Sequence, residues 1–350
     1  MKTKKNKPIP SRQRPNSFGY MMQQIKEPIL GRPISPKENL RRVFTGEKPM
    51  WMPAWLYEVD YCWSDEVLEH PKYEYDGFDW FGVEWVWVEV AGGMMVKPGT
   101  RTLSDITKWK EEVIFPDLNS IDWESDAAIQ TSRYDNDRMH VFHLTEGIFE
   151  RLHELMPFED ALAAMIEEPE YVLEFFEAMA DYKIKLLSKI FKYYEPIDFV
   201  IYGDDWGTQR AGFFSNEMFK EMIYPSAKRV MDYIKSQGKF IELHSCGLNQ
   251  QYVPFFKEMG IDLWTPQSIN DSDMLKNKYG DEISFCFVVE GLDNPNLTEE
   301  GARQIIRDFV DKYAPGGRAM AQIFAPPEVL KVCLDELYNY SLDFYDKENQ

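Results

Sequence analysis

The stretch with the most chemistry in its spacing is Phe240-Ile241-Glu242-Leu243-His244-Ser245-Cys246-Gly247. It reads as a strand running into a loop. Side chains alternate faces along a strand, so Ile241 and Leu243 share an apolar face while Glu242, His244 and Cys246 share the other. An imidazole and a thiol two positions apart, where the strand stops, can converge on a borderline metal ion such as zinc. The alternative is a buried His and a buried Cys with no ligand. Cys286 lies 40 positions after Cys246 on a strand candidate of its own. Across a small barrel two such strands are close, so both thiols could meet at one ion; taken alone, Cys286 reads equally as a small apolar filler.

Other polar residues collect where strands should end. Tyr202, Asp204, Asp205 and Gln209 follow one strand candidate, Gln267 and Asn270 the next but one, and Glu290 and Asp293 another. Adjacent Asp204 and Asp205 repel each other and need a use or a partner. One can cap the following turn while the other faces a cavity and orders a substrate or a metal. Trp206, with Trp51, Trp55, Trp85 and Trp87, offers either a flat aromatic wall or core.

These residues need elements to hold them. Ser35-Pro36-Lys37-Glu38 is a helix start, with Ser at the N-cap and Pro in the first turn. Strands are expected at 50–56, 82–88, 139–144, 198–202, 239–244, 262–265, 283–289 and 318–323. Helices are expected at 159–167, 169–193, 215–237, 249–259, 298–313 and 327–345. Regular strand–helix alternation implies parallel strands with right-handed crossovers. Eight such strands imply an α/β fold of the closed (β/α)8 TIM type, with the active site at the C-terminal ends of the strands. Residues 1–34 read as a basic N-terminal extension, either a solvated end or an arm that packs on a second copy of the chain. Residues 35–350 read as the barrel domain, with 91–137 as an inserted loop region over one end. No phosphate-cradling glycine motif is present.

The 350 residues carry a net charge of −20, which argues against nucleic acid, whose backbone demands a basic surface. No apolar run is long enough to span a membrane. The four cysteines are sparse and scattered, as in a reducing cytoplasm rather than a disulfide framework. The charge fits a small substrate or a protein partner.

The run Gly203-Asp204-Asp205-Trp206-Gly207-Thr208-Gln209, followed by His244-Ser245-Cys246-Gly247, resembles the uroporphyrinogen-decarboxylase-like superfamily. So do Ser35 through Pro49, the stretch from Trp109 to Pro116-Asp117-Leu118, and Asp122-Trp123-Glu124. That resemblance implies a TIM-type barrel and one of two chemistries: porphyrinogen decarboxylation, or zinc-dependent methyl transfer to or from corrinoid cobalt. True decarboxylases hold a many-carboxylate substrate with an Arg-rich early segment. The comparable stretch here, Pro49-Met50-Trp51-Met52-Pro53-Ala54-Trp55-Leu56, has no Arg. Coenzyme M methyltransferases add a late Cys where this chain has Gln322-Ile323-Phe324-Ala325-Pro326-Pro327.

The spacing of Cys246 and Cys286 is similar to that in the substrate methyltransferases of anaerobic aryl methyl ether O-demethylases. The resemblance then implies zinc held by Cys246 and Cys286, with the third ligand left open among Glu217, His244 and Asp204. Glu217 enters as the neighbour of Met218, where the family carries Asp. It implies that Asp204, Asp205 or Tyr202 orients the substrate, with Trp206, Gln209 and Gln267 as further contacts. The methyl acceptor would be the corrinoid (cobalamin) of a partner protein, because no D-x-H-x-x-G run occurs in this chain. A lyase acting on a tetrapyrrole and a coenzyme M-type methyltransferase are the alternatives.

Overall fold

The computed structural model describes residues 31–62, 64–71, 76–89, 93–132 and 134–348. Most of the expected N-terminal extension lies outside the described residues. The strands are β1 (Val59–Cys62), β2 (Gly77–Phe78), β3 (Glu84–Val88), β4 (Gly93–Val96), β5 (Met139–Leu144), β6 (Phe199–Gly203), β7 (Phe240–His244), β8 (Leu263–Thr265), β9 (Ser284–Val288) and β10 (Ala319–Gln322). Seven of them form one parallel sheet in the order β1-β5-β6-β7-β8-β9-β10. The sheet curls on itself. Just ahead of β1, Ala54 bridges to Ala321 of β10, with Trp55 N donating to Ala321 O (2.9 Å) and Ala321 N to Pro53 O (3.0 Å). The architecture is that of a TIM-type α/β barrel.

Alternation along the strands sorts two cores. Ile241 and Leu243 face outward into the layer between strands and helices, as their spacing predicts. Val59, Met139, Val141, Phe199, Ile201, Leu263, Cys286 and Met320 face inward. The helix Pro36–Thr45 closes the floor of that interior. Its Leu40, Val43 and Phe44 join the inner cluster, and Phe44 packs on Phe199 and Phe240 at the starts of β6 and β7 (5.1 and 5.0 Å between ring centroids). Ser35 caps it, accepting from Glu38 N. With the floor at the strands' N-terminal ends, His244 stands at the opposite, C-terminal mouth.

Three expectations are corrected. The aromatic run 50–56 is not a strand beyond the single Ala54 bridge; Pro49 and Pro53 lack the N–H a ladder needs, and Leu56 takes a positive φ of 74°. The first barrel strand is β1 instead. The run at 82–88 is extended, but as β3 it pairs antiparallel with β2 and β4 in a separate three-stranded sheet. Its apolar residues specified a strand but not which sheet would receive it. The insertion therefore starts well before residue 91. The expected helix 215–237 has Asn216–Met218, then a widened π turn at Phe219–Ile223, then Tyr224–Ser236. Pro225 lacks a backbone N–H and crowds the carbonyl one turn back, which the widened turn relieves. No helix among the described residues is long and apolar enough to cross a membrane.

The insertion is held down by buried charge. Arg151, fully buried in the helix Ile148–Leu155, donates to Asp79 Oδ2 and Glu69 Oε2 (2.6 Å each) and lies 3.0 Å from Glu154. Lys183 of the helix Pro169–Tyr193 donates to Glu69 Oε1 (2.7 Å). Asp79 also accepts from the Phe81 and Val83 amides (2.9 Å each) and the Trp85 indole (3.1 Å).

Candidate metal centre at the barrel mouth

His244 ends β7 and Cys246 lies in the loop beyond it, with the Cys246 Sγ 3.6 Å from His244 Nε2. Asp205 arrives from the loop after β6. One ligand atom from each of Asp205, His244 and Cys246 falls within 4.8 Å of the other two. Gly203 pairs directly with His244 across the β6–β7 ladder, so the two loops leave the sheet side by side. They stay pressed together because neither carries a side chain where they touch. Gly247 has φ 101°, and a Cβ there would lie 2.3 Å from the backbone of Gly207.

Hydrogen bonds fix both loops. Asp205 Oδ1 accepts from Cys246 N (2.5 Å), and Ser245 Oγ accepts from Trp206 N (3.1 Å). Buried Asn249 donates to Ser245 Oγ (2.9 Å) and Cys246 O (2.6 Å), and Asn270 donates to Gly247 O (3.0 Å). Gly247→Ala is therefore expected to part the loops in an otherwise intact barrel. Were the cluster to hold zinc, its affinity, read by chelator competition, should fall about 10–100-fold, the scale on which outer-shell support matters.

The other sequence-derived residues are placed as follows. Gln209 and Gln267 both line the mouth; Gln209 Nε2 donates to Gln267 Oε1 (2.9 Å), which also accepts from Gly247 N (2.9 Å). Asp204 is fully buried and caps the helix Ile148–Leu155 from outside. It accepts from the amides of Ile148 (3.0 Å), Phe149 (3.1 Å) and Glu150 (2.9 Å). Burial pushes its carboxyl up to about 6 against the downward pull of those amides. Tyr202 and Trp206 are fully buried in the outer layer; the Tyr202 hydroxyl donates to Asp204 (3.4 Å), and Trp206 packs on Phe219 and Tyr252. These three support the site from behind.

Glu217 is exposed on the first turn after its Ser215 cap and is not brought into the cluster. Neither is Cys286, which is fully buried in the inner core, where burial and then Glu242 push its thiol up. The carboxylate of the cluster is Asp205, one position from the Asp204 considered at first.

Two lobes of cavity meet at the cluster, and His143 and His244 line both. One, about 560 Å³, is lined by Trp55, Ile201, Ile269, Val288 and Phe324, with Tyr61, Thr265, Ser268 and Gln322 among its polar side chains. The other, about 740 Å³, is lined by Glu146, Glu150, Glu154, Asp205 and Cys246, with Met94, Met95 and Val96 of β4. Among its described lining residues the only Lys or Arg is Lys97, which is ion-paired with Glu84 (2.8 Å). Glu146 pairs with His70 (2.7 Å), which holds it low although burial opposes this. Burial, then Asp205, raises Glu150. Burial, then Asp205, also pushes the Cys246 thiol up. Burial, then His244, pulls His143 down to about 3.

The sequence reading missed His143 and the acidic wall. The signal for His143 was there: it continues the inward parity of Met139 and Val141.

The donor set of one imidazole, one thiol and one carboxylate, open to a cavity on its remaining side, fits a catalytic zinc site of three protein ligands. A TIM-type barrel with a prospective metal centre at its C-terminal mouth is the class that fold and site define. Residues 78–310 match the family Uroporphyrinogen decarboxylase (URO-D), and the chain belongs to that family. No curated protein matches its sequence.

Among solved structures it is similar to a methyltransferase from Methanosarcina mazei, with TM-score 0.64 and 13% identity, covering 87% of this chain and 98% of that one. A chain from Listeria monocytogenes assigned as a vitamin-B12-independent methionine synthase aligns with TM-score 0.40 and 11% identity, over 68% of this chain and 71% of that one. The first likeness establishes the fold.

Proposed function

We propose that this protein is a zinc-dependent methyltransferase that moves a methyl group from a methoxylated aromatic to the cobalt(I) corrinoid of a partner protein. The observation that carries this reading is the Asp205–His244–Cys246 donor set, open to a cavity. The similarity to a Methanosarcina methyltransferase supports it.

Asp205, His244 and Cys246 would hold the ion. When bound, zinc supplies Lewis acidity to the ether oxygen whose bond to methyl breaks. The chain's own residues do the rest. Trp55, Ile201, Ile269, Val288 and Phe324 offer an apolar lobe that seats a flat ring and excludes water. Gln209 and Gln267, bonded to each other at the rim, present amide groups to a ring substituent. The lobe lined by carboxylates disfavours a substrate bearing many carboxylates, since among its described lining residues Lys97, already paired with Glu84, is the only Lys or Arg to offer a charge-assisted partner. That weighs against the tetrapyrrole lyase reading.

The test is methyl transfer from 2-methoxyphenol to chemically reduced cobalamin by the zinc-loaded protein, followed by the absorbance of methylcobalamin. Transfer that disappears on zinc removal and returns on reloading is expected. Decarboxylation of uroporphyrinogen, with no transfer from any of a panel of methoxylated aromatics, would overturn the reading.

A further inference from the structure

The inner face of β7 carries a carboxyl group that belongs to neither the apolar core nor the donor set. Glu242 stands two residues before His244 on that face and is 1% exposed. In the ladder its neighbours are Ile201 of β6 and Leu263 of β8, both of the apolar interior. A carboxyl among such side chains is costly to bury, and burial pushes this one up to about 7. The inside of a barrel of this type is ordinarily filled by branched apolar side chains, so a carboxyl kept there calls for a use.

Glu242 accepts from two side chains that line the 560 Å³ lobe. The Trp55 indole N–H and the Thr265 hydroxyl each donate to its Oε1 at 2.7 Å. Trp55 comes from the segment that closes the barrel against Ala321. Thr265 ends β8, in register with His244. Glu242 itself is not among the residues lining the lobe. Nε1 is the single polar atom of an indole side chain. With that atom drawn to Glu242, the indole turns carbon toward the lobe, and its plane is tied at one edge.

We propose that Glu242 is a positioning residue: it holds the Trp55 indole as a fixed carbon face of the lobe, against which the aromatic ring of the substrate packs. Ring pairs depend on their mutual orientation, so a loosened indole gives a poorer seat even though every lining group is still present. That the seated ring is a methoxyarene rests on the function proposed above; the anchoring of the indole does not.

The experiment uses the full chain as wild type, Glu242→Gln, Glu242→Leu, Trp55→Phe and the variant combining Trp55→Phe with Glu242→Leu. Calorimetric affinity is measured for 2-methoxyphenol and for 2-naphthol, a ring with no methoxy group. Metal content and melting temperature are measured beside it. Glu242→Leu keeps the bulk and removes the acceptor, and should weaken both ligands about tenfold, the scale of one ring pair. Glu242→Gln keeps a carbonyl oxygen for the same two donors and should stay within about threefold of wild type. Trp55→Phe keeps a flat ring without the N–H. Once that handle is gone, adding Glu242→Leu should weaken binding by about twofold at most, because the two residues act as a unit.

Unchanged affinity in Glu242→Leu would overturn the proposal. So would a Glu242→Gln protein as weak as Glu242→Leu, or losses that simply multiply in the combined variant, the mark of a residue that only fills space. Affinity that falls in step with metal content also overturns it, since the effect would then run through His244. If Glu242→Leu does not fold, the other two single variants decide: Trp55→Phe binding as well as wild type ends the proposal, and a weakened Trp55→Phe beside a near-normal Glu242→Gln supports it. Wild type that binds 2-naphthol and ignores 2-methoxyphenol removes the methoxyarene reading and leaves Glu242 its role. Wild type that binds neither has no ring to seat, and the proposal falls.

Discussion

Cys246→Ala is expected to abolish the proposed zinc binding and methyl transfer, while Cys286→Ala keeps both. The two thiols sit at different depths. Cys246 is half-buried at the mouth, 3.6 Å from the His244 imidazole. Cys286 is shut inside the barrel among Leu40, Val59, Leu263 and Met320. Removing one of three ligands leaves an imidazole and a carboxylate, a harder and weaker pair for zinc, without the thiolate that the ion itself stabilises. The barrel core does not depend on that residue, so the variant should fold. Cys286→Ala removes buried volume instead, at a cost of about 1–2 kcal/mol in stability, below the larger truncations of Leu or Ile. Metal analysis beside activity and denaturant midpoints separates the two. Loss of zinc from a folded Cys286→Ala protein would restore the two-thiolate site implied by the family resemblance.

Arg151→Met should destabilise the fold by about 3–5 kcal/mol, the range for breaking a buried charge cluster from one side. Its guanidinium touches Glu69, Asp79 and Glu154, all nearly or fully sequestered from water, and lies over the Phe81 ring at 4.6 Å. Without it, the only cation bonded to these three carboxylates among the described residues is the Lys183 ammonium, which reaches Glu69. Arg151→Lys should recover little, because one ammonium cannot reproduce the fork that reaches Asp79 and Glu69 together. The damage should spread in a particular direction. Glu69 and Asp79 belong to the insertion that carries β4, and β4 lines the cavity. Urea titration reads the global loss, and limited proteolysis should cut first within the insertion. An Arg151→Met protein as stable as wild type would show that the cluster holds nothing in place.

The strands 139–144, 198–202, 239–244, 262–265, 283–289 and 318–323 were legible because each is a short apolar run between turn residues and helices, and period and punctuation are local properties. The face on which Glu242, His244 and Cys246 stand followed from alternation alone. What failed was not local. Whether 82–88 joins the barrel or a separate sheet depends on partners far along the chain, and Ala54 closes the ring with one bridge where a full strand was expected. The site shows the same division. His244 and Cys246 are close in sequence and were legible as a pair; Asp205 was legible only as one of two carboxylates that could face a cavity, and the contact between two glycines that brings it to them is announced by no spacing. Asp204 and Asp205 look alike in sequence. One turns back to cap a helix and the other turns toward the mouth, and tertiary packing makes that choice.

The stretch by which the family is recognised is not a self-sufficient body. Residues 78–310 contain β3 to β9 and the last residue of β2 but leave out the floor helix, β1, Ala54 and β10. Cut free, that segment would present two raw margins, one on β5 where β1 had paired and one on β9 where β10 had paired. Each would carry a row of unanswered backbone groups that invite another chain. Phe199, Phe240 and Met139 would meet water from below. The flanks act as hoop and stopper: the residues most diagnostic of kinship hold the chemistry, and those outside the diagnostic stretch keep it a closed vessel.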